Sequence, residues 1–363
     1  MKKNNIYVII GARPQFIKYA PLSEEIAKID NSKLIVIHTG QHYDDNMSEI
    51  FFKTLNIPAP DINLNINDVS RGTMIGEMIK KIDCEFNKHT PDMVILFGDT
   101  NSTLAGAVAA SSYQCEIVHV EAGLRSYNKL MPEEHNRIVA DHLSTILCVT
   151  SEEPKTNLLK EGISHKKIFL TGDIMLDTFK KNKQKIFSEN AYEKIGYKKN
   201  AYILCTVHRR ENIIDKEKLF NIFKALNMIS EQIMPVILPI HPATKKYLDL
   251  LNLNISSIKI VNPYEYIKFL SLVDGANFVI TDSGGLQKDA YYLKKKTLVF
   301  RNESEWPELA DNNASILVDP LNFDAIINNV NLLIDTKIKN KNLYGNGTTA
   351  KQINKIIKQF LSK

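Results

Sequence analysis

The ten residues Glu116-Ile-Val-His-Val-Glu-Ala-Gly-Leu-Arg125 contain a short apolar run that ends in a carboxylate, a glycine and an arginine. The run has the length and β-branched content of a strand, which places Glu121 at its end. Burying an ionised carboxylate without partners is strongly unfavourable, so its position beside Gly123 and Arg125 indicates a functional site. The alternative is a satisfied ion pair of Glu121 with Arg125 or Arg137, and this segment leaves both interpretations open.

Apolar, β-branched runs of this kind recur along the chain and alternate with amphipathic stretches. This alternation is typical of βαβ units, so the predicted fold class is α/β with two Rossmann-like, doubly wound parallel sheets. The first series of predicted strands is Ile6–Ile10, Leu34–His38, Met93–Phe97, Glu116–Glu121, Ile146–Thr150 and Ile168–Leu170. The second series is Tyr202–Val207, Val236–Ile240, Ile258–Val261, Phe278–Thr281, Thr297–Phe300 and Ile316–Val318.

The length of 363 residues exceeds one ordinary hydrophobic core and predicts two domains. Predicted helices between the strands include Ser102–Ala110, Glu133–Leu143 and Pro154–Glu161. A Lys-, Asn- and Glu-rich stretch separates the two series of strands and is interpreted as a linker. The predicted domains are an N-terminal Rossmann-like domain at 1–176, a linker at 177–199, a C-terminal Rossmann-like domain at 200–345 and a terminal helix at 346–363.

Composition and charge argue against several classes of protein. No run approaches the roughly 18 apolar residues of a membrane span, and the apolar run at the N-terminus is too short for a signal peptide. The net charge of +5 is spread over the chain, which favours a solvated surface over a nucleic-acid interface. The four cysteines are far apart and lack metal-ligand spacing, so we expect a reducing, cytoplasmic location with no disulfide framework and no metal site.

Ligands of open α/β sheets bind at the carboxyl ends of the strands, so the loops that follow the predicted strands are the candidate sites. The first strand leads into Gly11-Ala-Arg-Pro-Gln-Phe-Ile-Lys18. Arg13 and Lys18 beside a helix N-terminus suit an anion, because backbone N–H groups and fixed cations reinforce each other. The alternative is an ordinary helix start with two solvated charges.

In the second half, one strand ends in His208-Arg-Arg-Glu-Asn212 and another in Asp282-Ser-Gly-Gly-Leu-Gln-Lys-Asp289. The amides of Ser283–Gly285 at a helix start form the best candidate phosphate cradle, with a plain tight turn as the alternative. Asp289, further along that helix, is positioned to accept hydrogen bonds from ribose hydroxyls. His208 at a strand end favours function, whereas the structural interpretation is preferred for His38 and His119 inside strands.

Taken together, these loops resemble the non-hydrolysing UDP-N-acetylglucosamine 2-epimerase family. The matching segments follow the family's order over nearly the whole chain. They are Gly11–Lys18, Thr39-Gly-Gln-His42, Gly98-Asp-Thr100, His119–Arg125, Pro132-Glu-Glu134, His208–Asn212 and Asp282–Gly285. The resemblance implies a fold of the glycosyltransferase-B type, with the nucleotide held mainly by the C-terminal domain and the sugar between the two domains.

The resemblance also implies a reaction. UDP leaves by anti-elimination to give 2-acetamidoglucal and then adds back with the proton on the opposite face of C2, which interconverts UDP-GlcNAc and UDP-ManNAc for surface polysaccharide precursors. The implied catalytic residues are Asp99, Glu121, Glu133 and His208. The implied substrate- and UDP-binding residues are Arg13, Lys18, Arg137, His241, Ser283, Gly284, Gly285 and Asp289. The implied partners are the UDP-sugar and a second copy of the chain in a homodimer, with no cofactor, nucleic acid or membrane.

Departures from the family pattern affect regulation and substrate. The family's allosteric UDP-N-acetylglucosamine site corresponds to Gln41, His42, Arg71 and Arg210, but Tyr43-Asp-Asp-Asn46 replaces the usual run after His42. Lys288 stands in Gln287-Lys-Asp289 where the family's usual pattern has glutamate. These differences resemble the branch that acts on UDP-2,3-diacetamido-2,3-dideoxyglucuronate, whose C6 carboxylate needs an extra cation such as Lys288 or Arg125. UDP-N-acetylglucosamine is kept as the first interpretation and the diacetamido uronate as the second.

Two other classes of protein fit parts of the pattern. A retaining glycosyltransferase of the same architecture shares the UDP cradle but needs no base at C2, and the carboxylates Asp99, Glu121 and Glu133 argue for the epimerase. A non-catalytic nucleotide-sugar sensor needs neither His208 nor Glu121, because binding alone uses no proton transfer.

Overall fold

The computed structural model describes residues 3–41, 52–67, 69–339 and 342–362. The chain divides into two compact units, which are treated separately below. Unit 1 comprises Met1–Lys180 together with Asn342–Lys363, and unit 2 comprises Lys181–Lys341.

Unit 1 is built on a parallel sheet with the strand order β3-β2-β1-β4-β5-β6-β7. Its strands are β1 (Asn4–Ile10), β2 (Ser32–His38), β3 (Ile62–Asn63), β4 (Met93–Phe97), β5 (Glu116–Val120), β6 (Ile146–Val149) and β7 (Ile168–Leu170). The central strands β1 and β4 are apolar on both faces because helices cover both sides of a parallel sheet. The sequence did not reveal β3, since two residues give no periodic signal.

The helices of unit 1 follow its strands. They are α1 (Arg13–Ile26), α2 (Arg71–Lys88), α3 (Asn101–Ala110), α4 (Pro132–Leu143), α5 (Glu152–Lys160), α6 (Ile174–Glu189) and α15 (Thr349–Leu361), and α6 continues into unit 2. The last helix, α15, packs against α1. Its N-terminus is capped by Asp177, which accepts hydrogen bonds from the amides of Thr349 (3.1 Å) and Ala350 (2.8 Å).

Unit 2 repeats the same winding with the strand order β10-β9-β8-β11-β12-β13, again all parallel. Its strands are β8 (Ile203–Thr206), β9 (Val236–Pro239), β10 (Lys259–Val261), β11 (Val279–Thr281), β12 (Thr297–Phe300) and β13 (Ser315–Val318). Its helices are α7 (Ala191–Lys194), α8 (Arg210–Ile213), α9 (Lys216–Gln232), α10 (Pro242–Leu250), α11 (Tyr266–Gly275), α12 (Gly284–Tyr292), α13 (Pro307–Asp311) and α14 (Phe323–Asp335).

The core of unit 2 joins one face of this sheet to α9 and α14. Leu219, Ile222, Phe223, Leu226 and Ile229 line the buried face of α9, as their helical spacing requires.

The predicted α/β class is confirmed, and each predicted strand coincides with an observed one. The stretch 177–199 that composition marked as a linker lies mostly in α6 and α7. Lys, Gln and Glu are good helix formers, and the glycine of this stretch, Gly196, follows its helices, so the polar composition permits a helix as readily as a loop. The exact domain boundaries stay a prediction.

Candidate functional site

Glu121 lies at the carboxyl edge of the unit 1 sheet, directly after β5. Its carboxylate forms an ion pair with the ammonium of Lys18 from α1, and both side chains are buried. Lys18 is thus a partner of Glu121, while Arg125 pairs with Asp141 and Glu161 and Arg137 pairs with Asp99 and Glu134. A buried pair of opposite charges avoids the large free-energy penalty that either charge alone would carry.

Gly98, the residue after β4, makes room for this pair. Its φ of +60° lies in the left-handed region, and a Cβ at this position would lie 2.9 Å from Lys18 Nζ and 3.5 Å from Glu121 Oε1. Any larger residue would therefore displace the ammonium. Glu121 itself has a φ of +69°, which is unfavourable for a residue with a side chain.

Asp99 follows Gly98 and pairs with Arg137 of α4. Arg137 also donates to Glu134 (Nη1–Oε2, 2.8 Å). Glu134 is buried and accepts from the amides of Ser126 (2.9 Å) and Tyr127 (3.0 Å), so it holds the loop before α4. The candidate Glu133 is only partly buried, as expected of a carboxylate that remains accessible to a ligand.

Behind Glu121 lies a buried polar network centred on Asp141 of α4. Asp141 is fully buried, accepts from the Gly123 amide (3.1 Å to Oδ2) and from Arg125 Nη1 (2.7 Å), and lies 2.7 Å from His119 Nδ1. Burial alone would raise the pKa of Asp141, but the charges and hydrogen bonds of His119 and Arg125 outweigh it and lower that pKa. Arg125 is also clamped by Glu161, with Nε–Oε1 at 2.6 Å and Nη2–Oε2 at 2.7 Å.

Gln15 occupies the start of α1, where the sequence predicted an anion site. Its Oε1 accepts from the amides of Gly11 (2.8 Å) and Ala12 (3.1 Å), and its Nε2 donates to the Phe97 carbonyl (3.1 Å). Two of the amides at this helix start are thus engaged by a side chain. Arg13 is partly buried at the same end of α1.

The residues assigned to an allosteric site lie in both units. Gln41 Oε1 accepts from the Ser102 amide (3.0 Å), and Arg71 Nη2 donates to Asn136 Oδ1 (2.8 Å), so both are tied to the unit 1 helices. Arg210 is exposed at the start of α8 in unit 2. His42 lies outside the described residues.

In unit 2, Asp282 organises the loop that follows β8. It is fully buried and accepts from the backbone amides of His208 (3.0 Å) and Arg209 (2.9 Å) and from Asn212 Nδ2 (3.3 Å). These bonds orient the His208 side chain, which is 42% exposed with Nδ1 3.2 Å from Asp282 Oδ1. An exposed imidazole whose residue is held by a buried carboxylate can contact a ligand.

The glycine loop after β11 forms the start of α12. Ser283 caps the helix through its hydroxyl, and its amide donates to Thr281 Oγ1 (2.9 Å). Gly285 is exposed, and a Cβ there would meet nothing within 4 Å. A Cβ on Gly284 would lie 3.7 Å from Arg301 Nη1, 3.7 Å from Glu305 Oε2 and 3.8 Å from Arg209 Nη2, so two guanidinium groups and one carboxylate flank this helix N-terminus. Helix-start amides beside cations suit phosphate oxygens.

Two further candidates of unit 2 occupy defined positions. Asp289 is buried, 3.4 Å from the Tyr266 hydroxyl. His241 is exposed and caps α10, where its Nδ1 accepts from the Ala243 amide (3.2 Å). That bond places the proton of a neutral ring on Nε2.

Neither residue suggested as an extra cation has a guanidinium or ammonium directed at solvent. Arg125 is held by two carboxylates, and Lys288 is fully buried with its Nζ 4.0 Å from the centre of the Trp306 ring. Engagement of this kind is typical of cations that stabilise the fold.

Sequence analysis missed several residues that shape these sites. Arg301 follows β12 directly and pairs with Glu305 (2.9 and 3.1 Å), so the rule that polar residues follow strands could have found it. Arg209 lies within the segment His208–Asn212 that follows a predicted strand. Gln15 lies within the segment Gly11–Lys18 that follows the first predicted strand, whereas Asp141 gave no such signal, because it lies in a helix and contacts its partners only through the tertiary fold.

Within residues 3–41, 52–67, 69–339 and 342–362, no group of three or more His, Cys, Asp or Glu side chains is arranged to hold a metal ion. None of the helices described for this chain combines the length and the apolar character that a membrane crossing requires.

Comparison with known proteins places these features in a family. The family model for UDP-N-acetylglucosamine 2-epimerase matches residues 24–358. The chain is 42% identical to a UDP-N-acetylglucosamine 2-epimerase homolog of Methanococcus maripaludis, covering 98% of this chain and 99% of the homolog. It is 40% identical to the UDP-2,3-diacetamido-2,3-dideoxy-D-glucuronate 2-epimerase of Pseudomonas aeruginosa, covering 96% and 98%. The crystal structure of the Methanocaldococcus jannaschii UDP-GlcNAc 2-epimerase with UDP-GlcNAc and UDP superimposes with a TM-score of 0.91 at 39% identity, covering 98% and 99%.

Proposed function

This chain belongs to the UDP-N-acetylglucosamine 2-epimerase family, and we propose that it interconverts UDP-N-acetylglucosamine and UDP-N-acetylmannosamine. As a member of that family it is an isomerase that acts on a nucleotide sugar. The observation that carries the proposal is the buried Lys18–Glu121 pair, formed where β5 ends and held in an unfavourable backbone conformation. Strain of this kind persists where function requires it.

The proposed reaction breaks the C2–H bond and the C1–O bond of the sugar. A carboxylate takes the proton, UDP leaves with the electrons of the C1–O bond, and a C1–C2 double bond forms. UDP then adds back to C1 while a proton is delivered to the opposite face of C2. We assign the proton transfers to Glu121, Asp99 and Glu133, because opposite faces of one carbon need more than one acid–base group.

Unit 2 is proposed to bind UDP. The open amides at the start of α12, the flanking Arg209 and Arg301, and the exposed His208 together offer donors to a diphosphate. Donors of this kind stabilise the negative charge that develops on the leaving group. Asp289 is assigned to the ribose, where its carboxylate would accept from hydroxyl groups.

The alternative substrate is the diacetamido uronate used by the Pseudomonas aeruginosa relative. That substrate carries an additional carboxylate. The two cations suggested for it, Arg125 and Lys288, are respectively clamped by carboxylates and packed under Trp306. This engagement supports UDP-N-acetylglucosamine as the first substrate.

Deuterium incorporation tests the function and the substrate together. The protein is incubated in D2O with each UDP-sugar, and the C2 signal is followed by proton NMR. We expect loss of the C2 proton signal of UDP-N-acetylglucosamine together with appearance of the manno product. Exchange with the diacetamido uronate alone would select the alternative. Epimerisation without C2 exchange in either sugar would rule out the elimination mechanism.

We further propose a cytoplasmic homodimer that supplies surface polysaccharide precursors. The family resemblance supports each of these assignments. The mass of the protein by light scattering after gel filtration would show one chain of 41.3 kDa or two, and a monomer at all concentrations would contradict the dimer.

A further inference from the structure

A single imidazole contacts the backbone loop that carries Asp99. His119 is fully buried in β5, and its Nε2 lies 2.7 Å from the carbonyl oxygen of Gly98. Gly98 is in turn fixed by its own amide, which donates to the Val120 carbonyl (2.9 Å). The position of Asp99 therefore depends on the ring of His119.

The other ring nitrogen reaches the turn that carries Glu121. His119 Nδ1 lies 2.7 Å from Asp141 Oδ1, and the carboxylate of Asp141 accepts from the Gly123 amide at 3.1 and 3.2 Å. Glu121 and Ala122 both donate to the Cys148 carbonyl at 3.1 Å. These contacts hold the left-handed conformation of Glu121, which would otherwise relax toward a more favourable backbone geometry.

The partners of His119 determine its protonation. A backbone carbonyl can only accept a hydrogen bond, so Nε2 must carry a proton. Asp141 accepts from the Gly123 amide through both carboxylate oxygens and forms an ion pair with Arg125 Nη1 (2.7 Å), so it is ionised and can only accept. Nδ1 therefore carries a proton as well, and the ring is an imidazolium.

The network around this cation is electrically balanced. Around its buried centre, His119 and Arg125 contribute two positive charges and Asp141 and Glu161 two negative charges, and the exposed His142 lies 3.2 Å (Nε2–Oε2) from Glu161. Glu161 has its pKa lowered, chiefly by the hydrogen bonds from Arg125. A buried imidazolium is tolerated when opposite charges and hydrogen bonds compensate for its lost hydration.

We propose that His119, held as an imidazolium by Asp141, is a positioning residue for the epimerisation. Its two N–H groups fix the Gly98–Asp99 loop and the Glu121–Gly123 turn relative to each other, so that the two candidate carboxylates keep one relative geometry. The assignment of His119 to the epimerisation rests on the proposed function, whereas the protonation and the contacts of His119 are independent of it. Displacing a catalytic group by about 1 Å is enough to slow a reaction by about 100-fold.

Two substitutions separate the two contacts. His119→Asn places an amide near the Nδ1 position and keeps a donor for Asp141, and His119→Gln reaches toward the Gly98 carbonyl in place of Nε2. We expect each variant to lower kcat for C2 deuterium exchange by about 100-fold while KM changes by less than about threefold. UDP affinity measured by calorimetry should be unchanged, because the ring of His119 contacts Asp141 and the Gly98 carbonyl and none of the groups assigned to UDP. His165→Asn, an exposed histidine in the 3₁₀ turn before β7, is the matched control and should have wild-type kinetics.

A spectroscopic measurement on the wild-type chain does not depend on whether the variants fold. In ¹⁵N-histidine-labelled protein at neutral pH, we expect both ring nitrogens of His119 to show directly bonded protons, with the signal assigned by its loss in His119→Gln.

A neutral tautomer in that spectrum would overturn the proposal, and so would wild-type kcat in both folded variants. Absence of C2 exchange by the wild-type protein with either UDP-sugar would instead overturn the proposed function, and the nitrogen spectrum would still decide the protonation of His119.

Discussion

The two units share one winding order but place opposite kinds of groups at the carboxyl edges of their sheets. In unit 1 buried ionisable side chains contact each other at or beside the carboxyl ends of β4 and β5, such as Lys18 with Glu121 and His119 with Asp141. In unit 2 the segments after β8 and β11 present the exposed His208 and the exposed Gly285 at the start of α12. The same topology therefore supports two different electrostatic arrangements.

This difference fits the two tasks proposed for the units, which are proton transfer in unit 1 and diphosphate binding in unit 2. Proton transfer needs carboxylates in a fixed geometry and a dry environment, and fixed charges in such a place require partners. Binding a diphosphate needs hydrogen-bond donors and positive charge at one place, and helix-start amides beside cationic side chains provide them. Removing one partner of these buried pairs should accordingly cost unit 1 stability, whereas changes at the exposed His208 or Gly285 should cost unit 2 little.

The largest effect is expected for Asp141→Asn. This change leaves His119 and Arg125 as two buried cations with Glu161 as the remaining carboxylate, so the free energy of unfolding should fall by about 3–5 kcal/mol. Urea denaturation followed by circular dichroism measures it. Asp30→Asn, at an exposed position before β2, is the matched control and should change stability by less than about 0.5 kcal/mol. Equal stabilities of the two variants would mean that the network is not electrostatically coupled.

Glu121→Gln should have the next largest effect. Removing the proposed base should lower the rate of C2 exchange at least about 100-fold, with UDP affinity unchanged. The variant should also be less stable because Lys18 loses its partner. Glu116→Gln, at the amino end of the same strand, is the control for substituting a glutamate in β5. Full turnover by Glu121→Gln would show that its catalytic assignment is wrong.

Two glycine substitutions compare the two edges directly. Gly98→Ala forces a Cβ into the left-handed region and to within 2.9 Å of Lys18 Nζ, so it should destabilise the protein by about 2 kcal/mol. Gly285→Ala meets open space and should leave stability unchanged or raised by up to about 1 kcal/mol. Thermal unfolding of both variants in one buffer provides the test, and a Gly285→Ala variant that is the less stable of the two would contradict the comparison.

The last comparison concerns a buried cation of unit 2 with an amide partner. Lys295 donates to Asn200 Oδ1 (2.9 Å), and burial lowers its pKa from 10.5 to about 8. Between these two values the unfolded chain keeps a proton that the folded chain has released, so stability should rise with pH through this window. Below this pH window Lys295 is protonated in both states, and the folded chain carries the full free-energy cost of burying the charged ammonium.

Lys295→Met should remove this rise, and urea midpoints measured from the lower to the upper end of the window would reveal it. The exposed Lys198→Met should retain the wild-type profile. Parallel profiles for wild-type protein and Lys295→Met would show that Lys295 titrates normally in the folded chain.

The sequence by itself determined the fold class and the positions of the candidate loops. Apolar periodicity is a local property, and it located the strands of both sheets together with the polar residues that follow them, among them Glu121 and His208. It could not locate β3, which is too short, or show that the stretch 177–199 is mostly helical.

Only the tertiary structure decided which charges meet. Lys18 and Glu121 are 103 residues apart, and they meet because α1 and β5 bring them to the same edge of the unit 1 sheet. His119 and Asp141 meet because α4 packs against β5. Pairing of this kind depends on strand order and helix packing, which are set by the free energy of the whole core and are not encoded in any local pattern.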